Sequence, residues 1–472
     1  MRRGDVALWL ALSATGAALL TTLTARITQN VAPVPLLWIA PLALYLLSFV
    51  FAFAGLYPRF VTLLALPTAL AALAALPALE LAEWSLSTLL ALWLAAGFVA
   101  FLAAHGELAR RRPDSGDLTR YYLAIAAGGA LGGLVPALVT PLLLDTDPDL
   151  ALATFALALA IVAALAPSWR SGPRSLRIAF RLGALAALAL LATGLLRGYT
   201  REVGSGEESW RNFYGVLRLA ERADPLPVRR LFHGRILHGE QLLDEDKRRW
   251  ATTYYGPVGG GALAIFATRR DLAPQRVGIV GLGVGTLAAW GRAGDLYRFY
   301  EIDPLVVRLA TTRFSFLADS PATIEIELGD ARLALDREAA RGFDVLIVDA
   351  FSGDAVPVHL LTREAFATYF RHLVPGGIVA VHVSNRFLDL APVVAAAAGA
   401  AGRVARLVDS TADEALGTTG ATWVVVAAAE DAIAFGFFER RTQGIAPPRG
   451  FRAWTDDFSS LLAVLGRARR AE

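Results

Sequence analysis

Seven apolar stretches dominate the start of the chain: residues 6–24, 34–54, 60–79, 86–105, 121–144, 149–167 and 178–196. Each meets or approaches the length of about 20 residues that a helix needs to cross a bilayer core. Charge divides the chain in the same way, with 13 basic and 9 acidic groups in residues 1–200 against 32 and 33 in residues 201–472. The pattern predicts a multi-pass helical membrane domain over residues 1–200, followed by a part large enough to bury its own core. The first stretch follows Met1, Arg2 and Arg3 as in a signal peptide. Its run is long and no small-x-small cleavage site follows, so an uncleaved helix is expected. Arg181 lies near one end of the seventh stretch, where its side chain can snorkel to the interface.

The small-residue run Gly128, Gly129, Gly132 and Gly133 predicts close helix approach. Almost no ionisable residue falls at mid-membrane depth, which argues against a proton-driven pump and for an anchor in the cell (inner) membrane, with the lipid bilayer as partner. Arg110, Arg111, Arg112 and Arg120 fall in the fourth loop, and Arg170, Arg174 and Arg177 in the sixth. Glu80 and Glu83 mark the third, and Asp145, Asp147 and Asp149 the fifth. The positive-inside rule then places the even loops in the cytoplasm, and seven spans put the C-terminal part outside. The nucleoside argued below is made in the cytoplasm, which points the other way.

The absence of cysteine excludes disulfides, thiolate catalysis and cysteine-ligated metal sites. Lys247 is the only lysine and sits in the charged run DEDKRR, so Schiff-base chemistry is discarded. The net charge of +3 belongs to the helical half, and without a basic stripe in residues 201–472 no nucleic-acid partner is expected. His233 and His238 are five residues apart and would need further ligands from elsewhere. His359, His372 and His382 occur singly, so no metal is expected. Ser384 and Asn385 end a strand without a nucleophile-elbow context.

Beyond residue 230, β-branched runs alternate with Ala/Leu-rich helical stretches, the signature of an open α/β sheet. The expected fold is a Rossmann-like, methyltransferase-type domain over residues 266–472, preceded by a linker and small β region over residues 201–265. A strand candidate, RVGIV, leads into Gly281, Gly283 and Gly285 and then into TLAAWGRA, read as a helix. Such glycines let backbone turn tightly and bring a ligand against a helix N-terminus. Twenty residues after Gly281, YRFYE ends in Glu301, followed by Ile302 and Asp303. IEIEL leads to Gly329, Asp330 and Ala331, and FDVLIVD ends in Asp349. Acids ending three successive parallel strands share one rim, where such folds bind ligands. Each alone would pass as a helix cap. Together with the glycine loop they predict a nucleoside site.

These motifs resemble the spermidine synthases, or polyamine aminopropyltransferases, in the branch fused to membrane helices. The resemblance covers about residues 230–465 and rests on LHGEQ at 237–241, YYGP at 254–257, GLGVGTLAAW, YEIDP, Gly329-Asp330-Ala331, DVLIVDAFSGDAVPVHLLTREAF and WTDDFSSLL. It implies decarboxylated S-adenosylmethionine as aminopropyl donor and an amine such as putrescine or another polyamine as acceptor. Glu301 would bind the ribose, Asp330 the adenine amino group, and Gln241 would lie near the methionine-derived end.

The implied chemistry is in-line displacement, in which an amine nitrogen attacks the carbon beside a sulfonium. A carboxylate within hydrogen-bond reach attracts the ammonium and accepts its proton. Asp349 and Asp354 both fit, and the five-residue spacing, longer than the three of many family members, leaves open which is the base. Tyr254 and Tyr255 are placed to orient the amine. The soluble family's Tyr-His-Glu run is missing its His and Glu here, which puts putrescine in doubt. A homodimer is a further expectation. The alternatives are an S-adenosylmethionine-dependent methyltransferase, an inactive nucleoside- or polyamine-binding sensor or transport accessory, and an NAD-dependent oxidoreductase.

Overall fold

The computed structural model describes residues 3–30, 35–79, 84–170, 173–204, 207–223, 226–234, 236–269, 273–351, 357–385, 388–429, 440–460 and 463–464. The chain forms two compact units, Met1–Val216 and Leu217–Glu472. All seven apolar stretches are helical. They correspond to α1 (Arg3–Asn30), α2 (Pro35–Phe53), α3 (Arg59–Leu79), α4 (Leu86–Ala109), α5 (Leu118–Leu134) continuing into α6 (Thr140–Leu143), α7 (Asp149–Arg170) and α8 (Arg174–Gly204). Between α5 and α6 the helix widens into a π turn, Val135–Val139. Pro136 and Pro141 carry no backbone N–H, so the regular ladder cannot run through this segment. Among the described residues, four helical segments are long and apolar enough to cross a membrane: Gly4–Thr28, Ser87–Ala109, Ser115–Leu143 and Asp149–Pro167. Trp38–Phe53 and Arg59–Ala75 are shorter apolar helices.

The glycine run works at two of its four positions. A Cβ at Gly128 would come 2.6 Å from the Leu10 carbonyl oxygen, and one at Gly132 would collide with the Ala14 carbonyl, whereas Gly133 has open space. Gly128 and Gly132 therefore set the contact of α5 with α1. Two polar groups escaped the hydropathy reading. Helix α4 runs past the expected span end, and Glu107 is fully buried there between Arg59 at 2.7 Å and Arg111 at 2.8 Å. His105, one turn nearer the span centre than Ala109, is buried against Ser48 at 2.7 Å. Strand β1 (Glu208–Asn212) closes the first unit. Its Arg211 bonds the Thr146 carbonyl at 2.9 Å and Asp149 at 2.5 Å, so the chain leaving α8 is held at the end of the bundle where α6 meets α7.

In the second unit, β2 (Gly215–Arg222), β3 (Val228–His233) and β4 (Ile236–Leu242) run as an antiparallel meander. Then follow α9 (Gly260–Thr268), β5 (Arg276–Val280), β6 (Leu296–Glu301), α10 (Pro304–Thr312), α11 (Phe316–Asp319), β7 (Thr323–Leu328), α12 (Ala331–Arg337), β8 (Phe343–Val348), α13 (Arg363–Arg371), β9 (Leu373–His382), α14 (Ala391–Ala400), β10 (Val404–Ser410), β11 (Ala421–Ala427) and β12 (Gln443–Gly444). The sheet order is β12-β10-β11-β9-β8-β5-β6-β7. Strands β7, β6, β5, β8 and β9 are parallel, and β11 turns antiparallel against β9. This is the methyltransferase-type Rossmann arrangement expected from the alternation of strands and helices. The central strands are apolar at nearly every position, with Val277, Ile279, Val345 and Ile347 fully buried, because a parallel sheet is covered on both faces.

The expected helix after the glycine loop is instead a five-residue 3-10 turn, Thr286–Trp290. Gly291 leaves it in an extended conformation, and Asp295 captures the Arg292 N–H at 2.9 Å, so the chain turns into β6 before an α-helix can form. The loop therefore offers a ligand turned backbone without the dipole of a full helix.

Candidate active site

Strand order reverses between β5 and β8, since β5 is followed by β6 on one side and β8 by β9 on the other. Ligands of open α/β sheets bind in the crevice outside such a switch point. Gly281 directly follows β5 and Asp349 directly follows β8. The Asp349 N–H donates to the Val280 carbonyl at 2.8 Å, and the Gly281 N–H to the Tyr300 carbonyl at 2.9 Å. Gly281, Gly283 and Gly285 all adopt left-handed φ values, 98°, 54° and 84°. At Gly281 a Cβ would fall inside contact distance of the Asp349 carbonyl oxygen. At Gly283 it would come 2.8 Å from the His238 carbonyl, and at Gly285 2.8 Å from Leu317. A Cβ at Gly239 of β4 would likewise come 2.5 Å from Val284 of the same loop. The loop is thus wedged between β4 and the end of β8 by backbone that tolerates no side chain.

Asp349 is held by two side chains at the rim. Its Oδ2 accepts from the Tyr255 hydroxyl at 2.5 Å, its Oδ1 lies 2.7 Å from His382 Nδ1, and its side chain is 3% exposed. Burial, then the charge of Asp349, push the Tyr255 phenol well above its ordinary value, so it stays a neutral donor. Tyr254 is raised by the same two causes. The two tyrosines are aimed by Thr253, whose left-handed φ of 56° is held by the Thr253 N–H donating to Gly417 at 2.8 Å and its carbonyl accepting from Thr419 at 3.1 Å. Such a conformation costs on the order of 1–3 kcal/mol and persists where surrounding bonds fix it. Asp354, the second candidate base, lies outside the described residues.

Glu301 ends β6 and is buried. Its Oε2 accepts from the Leu282 N–H at 2.9 Å and its Oε1 from the Asp303 N–H at 2.9 Å, so it clamps the glycine loop to its own strand. Burial raises its pKa against the lowering pull of those two amides. Asp303 caps α10 through the Leu305 N–H at 2.8 Å. Asp330 caps α12 through the Leu333 N–H at 2.9 Å and lies 3.0 Å from His359, with Ala331 buried as the first helical residue. The capping role foreseen for these acids thus holds at Asp303 and Asp330, while Glu301 and Asp349 bond loops and side chains. Gln241 is buried at the end of β4, donating to Ser315 Oγ at 2.7 Å and to the Arg248 carbonyl at 2.9 Å.

His382, read from the sequence as one more isolated histidine, is the main residue missed. It ends β9 beside β8, and its signal was positional: HVSN ends the strand next to FDVLIVD at the same rim. Burial pushes His238 down to about 3, so it remains a neutral wall residue. No group of three metal-ligating side chains occurs among the described residues. The terminal motif docks by Asp456, which pairs with both Arg332 amino groups at 2.6 and 2.5 Å, tying it to the helix that follows Asp330.

No protein-family model matches the chain. Over 121 residues it is 32% identical to a polyamine aminopropyltransferase of Vibrio vulnificus, covering 24% of this chain and 38% of that protein. Over 177 residues it is 27% identical to a putative O-methyltransferase of Mycobacteroides abscessus, covering 35% of this chain and 76% of that protein. A solved structure of a probable spermidine synthase from Corynebacterium glutamicum is similar at 20% identity and a TM-score of 0.40, covering 54% of this chain and 98% of that one. The chain is therefore similar to the spermidine synthase-like proteins, and it spans well under two thirds of the aminopropyltransferase's own length.

Proposed function

We propose that this chain is a membrane-anchored aminopropyltransferase that moves an aminopropyl group from decarboxylated S-adenosylmethionine to an amine of the polyamine class. The observation that carries the reading is the enclosed Asp349 carboxylate, held by Tyr255 and His382 at the switch point beside the glycine loop. Freeing a primary amine of its proton at pH 7 costs roughly 4–5 kcal/mol, and a fixed carboxylate is suited to receive it. The amine's lone pair then forms the N–C bond, the C–S bond breaks, and its electron pair neutralises the sulfonium. Glu301 fits a ribose diol and the glycine backbone fits the adjoining nucleoside. Thr286, next in the chain, keeps a buried hydroxyl without a partner that a bound nucleoside can satisfy. The similarity to an O-methyltransferase favours a second reading, methyl transfer from S-adenosylmethionine. Calorimetry with both nucleosides separates the two: tighter binding of the decarboxylated form is expected, and preference for the carboxylated form contradicts aminopropyl transfer.

Acid weakens this site in a defined direction. Because burial raises the Glu301 pKa, protonation begins above the ordinary glutamate value of about 4.3. For stability, a raised carboxylate contributes fully below its unfolded value and loses that contribution as pH rises through its folded value. For binding the order is opposite, because the ionised form is the better acceptor for ribose hydroxyls. Nucleoside affinity measured against pH is expected to fall on acidification before the ordinary glutamate range is reached, and a flat profile down to that range would contradict it.

Anchoring by seven crossings is tested within the first unit. The Arg211 bonds to Thr146 and Asp149 hold the end of α8 at the α6–α7 turn, so α8 returns to the end at which α7 begins, as an up-and-down pair would. Reporters placed after Arg112 and after α8 are expected on opposite faces, and the face of the second reporter says whether the donor pool of the cytoplasm reaches the C-terminal part. Reporters on one face would mean an even number of crossings between them.

A further inference from the structure

Resting on the transfer reading above, we propose that His382 is the positioning residue for Asp349: a neutral imidazole, locked in its Nδ1–H tautomer by Ser384, which holds the carboxylate in place as the proton acceptor. The chain of donors fixes the tautomer. The Thr422 N–H donates to Ser384 Oγ at 2.8 Å. The Ser384 hydroxyl proton is then directed to His382 Nε2 at 2.8 Å, its other acceptor, the Thr422 carbonyl, being 3.4 Å away. With Nε2 accepting, Nδ1 carries the ring proton and donates to Asp349 Oδ1 at 2.7 Å.

Three aromatic rings pack against the imidazole. It stacks on Trp423 of β11 at 4.5 Å and 15°, lies 4.4 Å from the Tyr254 ring, and meets the edge of Phe351 at 4.9 Å. Among the described residues, the groups facing it are Asp349 from the end of β8, Ser384 just past β9, Tyr254 from the loop before α9, Phe351 and Trp423. Among these, Asp349 is the charged one. A neutral donor orients the carboxylate and leaves its charge for the incoming ammonium. An imidazolium would instead form a full ion pair and withdraw that basicity. The transferred proton itself passes from the amine to Asp349 and leaves to solvent with the product, and the tautomer is unchanged over the cycle.

Three variants of the full chain test this. His382→Ala is expected to lower kcat by about 10–100-fold, the usual effect of losing an orienting partner, with amine KM and nucleoside binding near wild type. His382→Gln keeps an amide donor for Asp349 and should recover part of kcat. Ser384→Ala leaves the ring packing intact but removes the donor to Nε2, so it should lower kcat part of the way towards His382→Ala. Pure loss of structure would lower nucleoside binding together with kcat, and no recovery of kcat in His382→Gln overturns the proposal. Histidine-nitrogen NMR on the intact chain decides it without turnover: an Nδ1-protonated His382 at neutral pH supports it, and an Nε2-protonated one overturns it. A wild-type chain that transfers nothing to any amine contradicts the transfer reading, and the NMR result still decides this one.

Discussion

Asp349→Asn is expected to lower aminopropyl transfer by about 10²–10⁴-fold, the range for a positioned general base, while nucleoside binding is retained. The substitution is close to isosteric in this setting. The asparagine carbonyl can accept from His382 Nδ1, and its NH₂ group can donate to the Tyr255 oxygen, because a tyrosine hydroxyl is both donor and acceptor. What disappears is the capacity to take a proton and the charge that draws an ammonium. Steady-state kinetics with parallel calorimetry checks the split between chemistry and binding. A variant with wild-type kcat would move the base elsewhere, with Asp354 next to test. Equal loss of binding and turnover would assign Asp349 a structural role.

The second large effect is expected at Gly281. Its φ of 98° is one that a residue with Cβ adopts at a cost of about 1–2 kcal/mol. In Gly281→Ala the new Cβ would also meet the Asp349 carbonyl and come 3.2 Å from the Ala350 Cα, backbone that cannot rotate away. Overpacking of this kind adds about 1–3 kcal/mol. The alanine variant should therefore unfold at lower denaturant concentration, and its remaining folded population should bind nucleoside weakly because the ends of β5 and β8 are forced apart. Gly133→Ala, at a glycine with open space around it, is the matched control and should be silent. Wild-type stability in Gly281→Ala would show that the loop is not packed against the end of β8.

Periodicity and motif spacing exposed the architecture more fully than the site. Apolar stretches of span length located α1 to α8 in the first unit, because a helix that is apolar on all faces leaves a continuous signal in one dimension. Acids at the ends of FDVLIVD and YRFYE marked the rim, since parallel strands place their C-terminal ends together. Sequence alone did not separate Glu301, whose carboxylate grips the glycine loop, from Asp330, whose carboxylate caps α12, because both sit at equivalent strand ends. His382 was invisible for a related reason. Its partner Asp349 lies 33 positions away, and only the β8–β9 ladder, with Val348 opposite Val381, brings them together. Glu107 was missed because its neutralising partners Arg59 and Arg111 come from another helix and from beyond the span end. The helix expected after Gly285 failed because Gly291 and Asp295 redirect the chain within one turn.

The identity of the transferred group decides the account. The full-length chain, in detergent or vesicles, should be incubated with decarboxylated S-adenosylmethionine or its carboxylated parent and a panel of mono-, di- and polyamines, and the nucleoside product identified by mass. Methylthioadenosine formed together with an aminopropylated amine, and absent when Asp349 is asparagine, is the predicted result. Methylated product from the carboxylated donor, or amine binding with no nucleoside consumed, would contradict it.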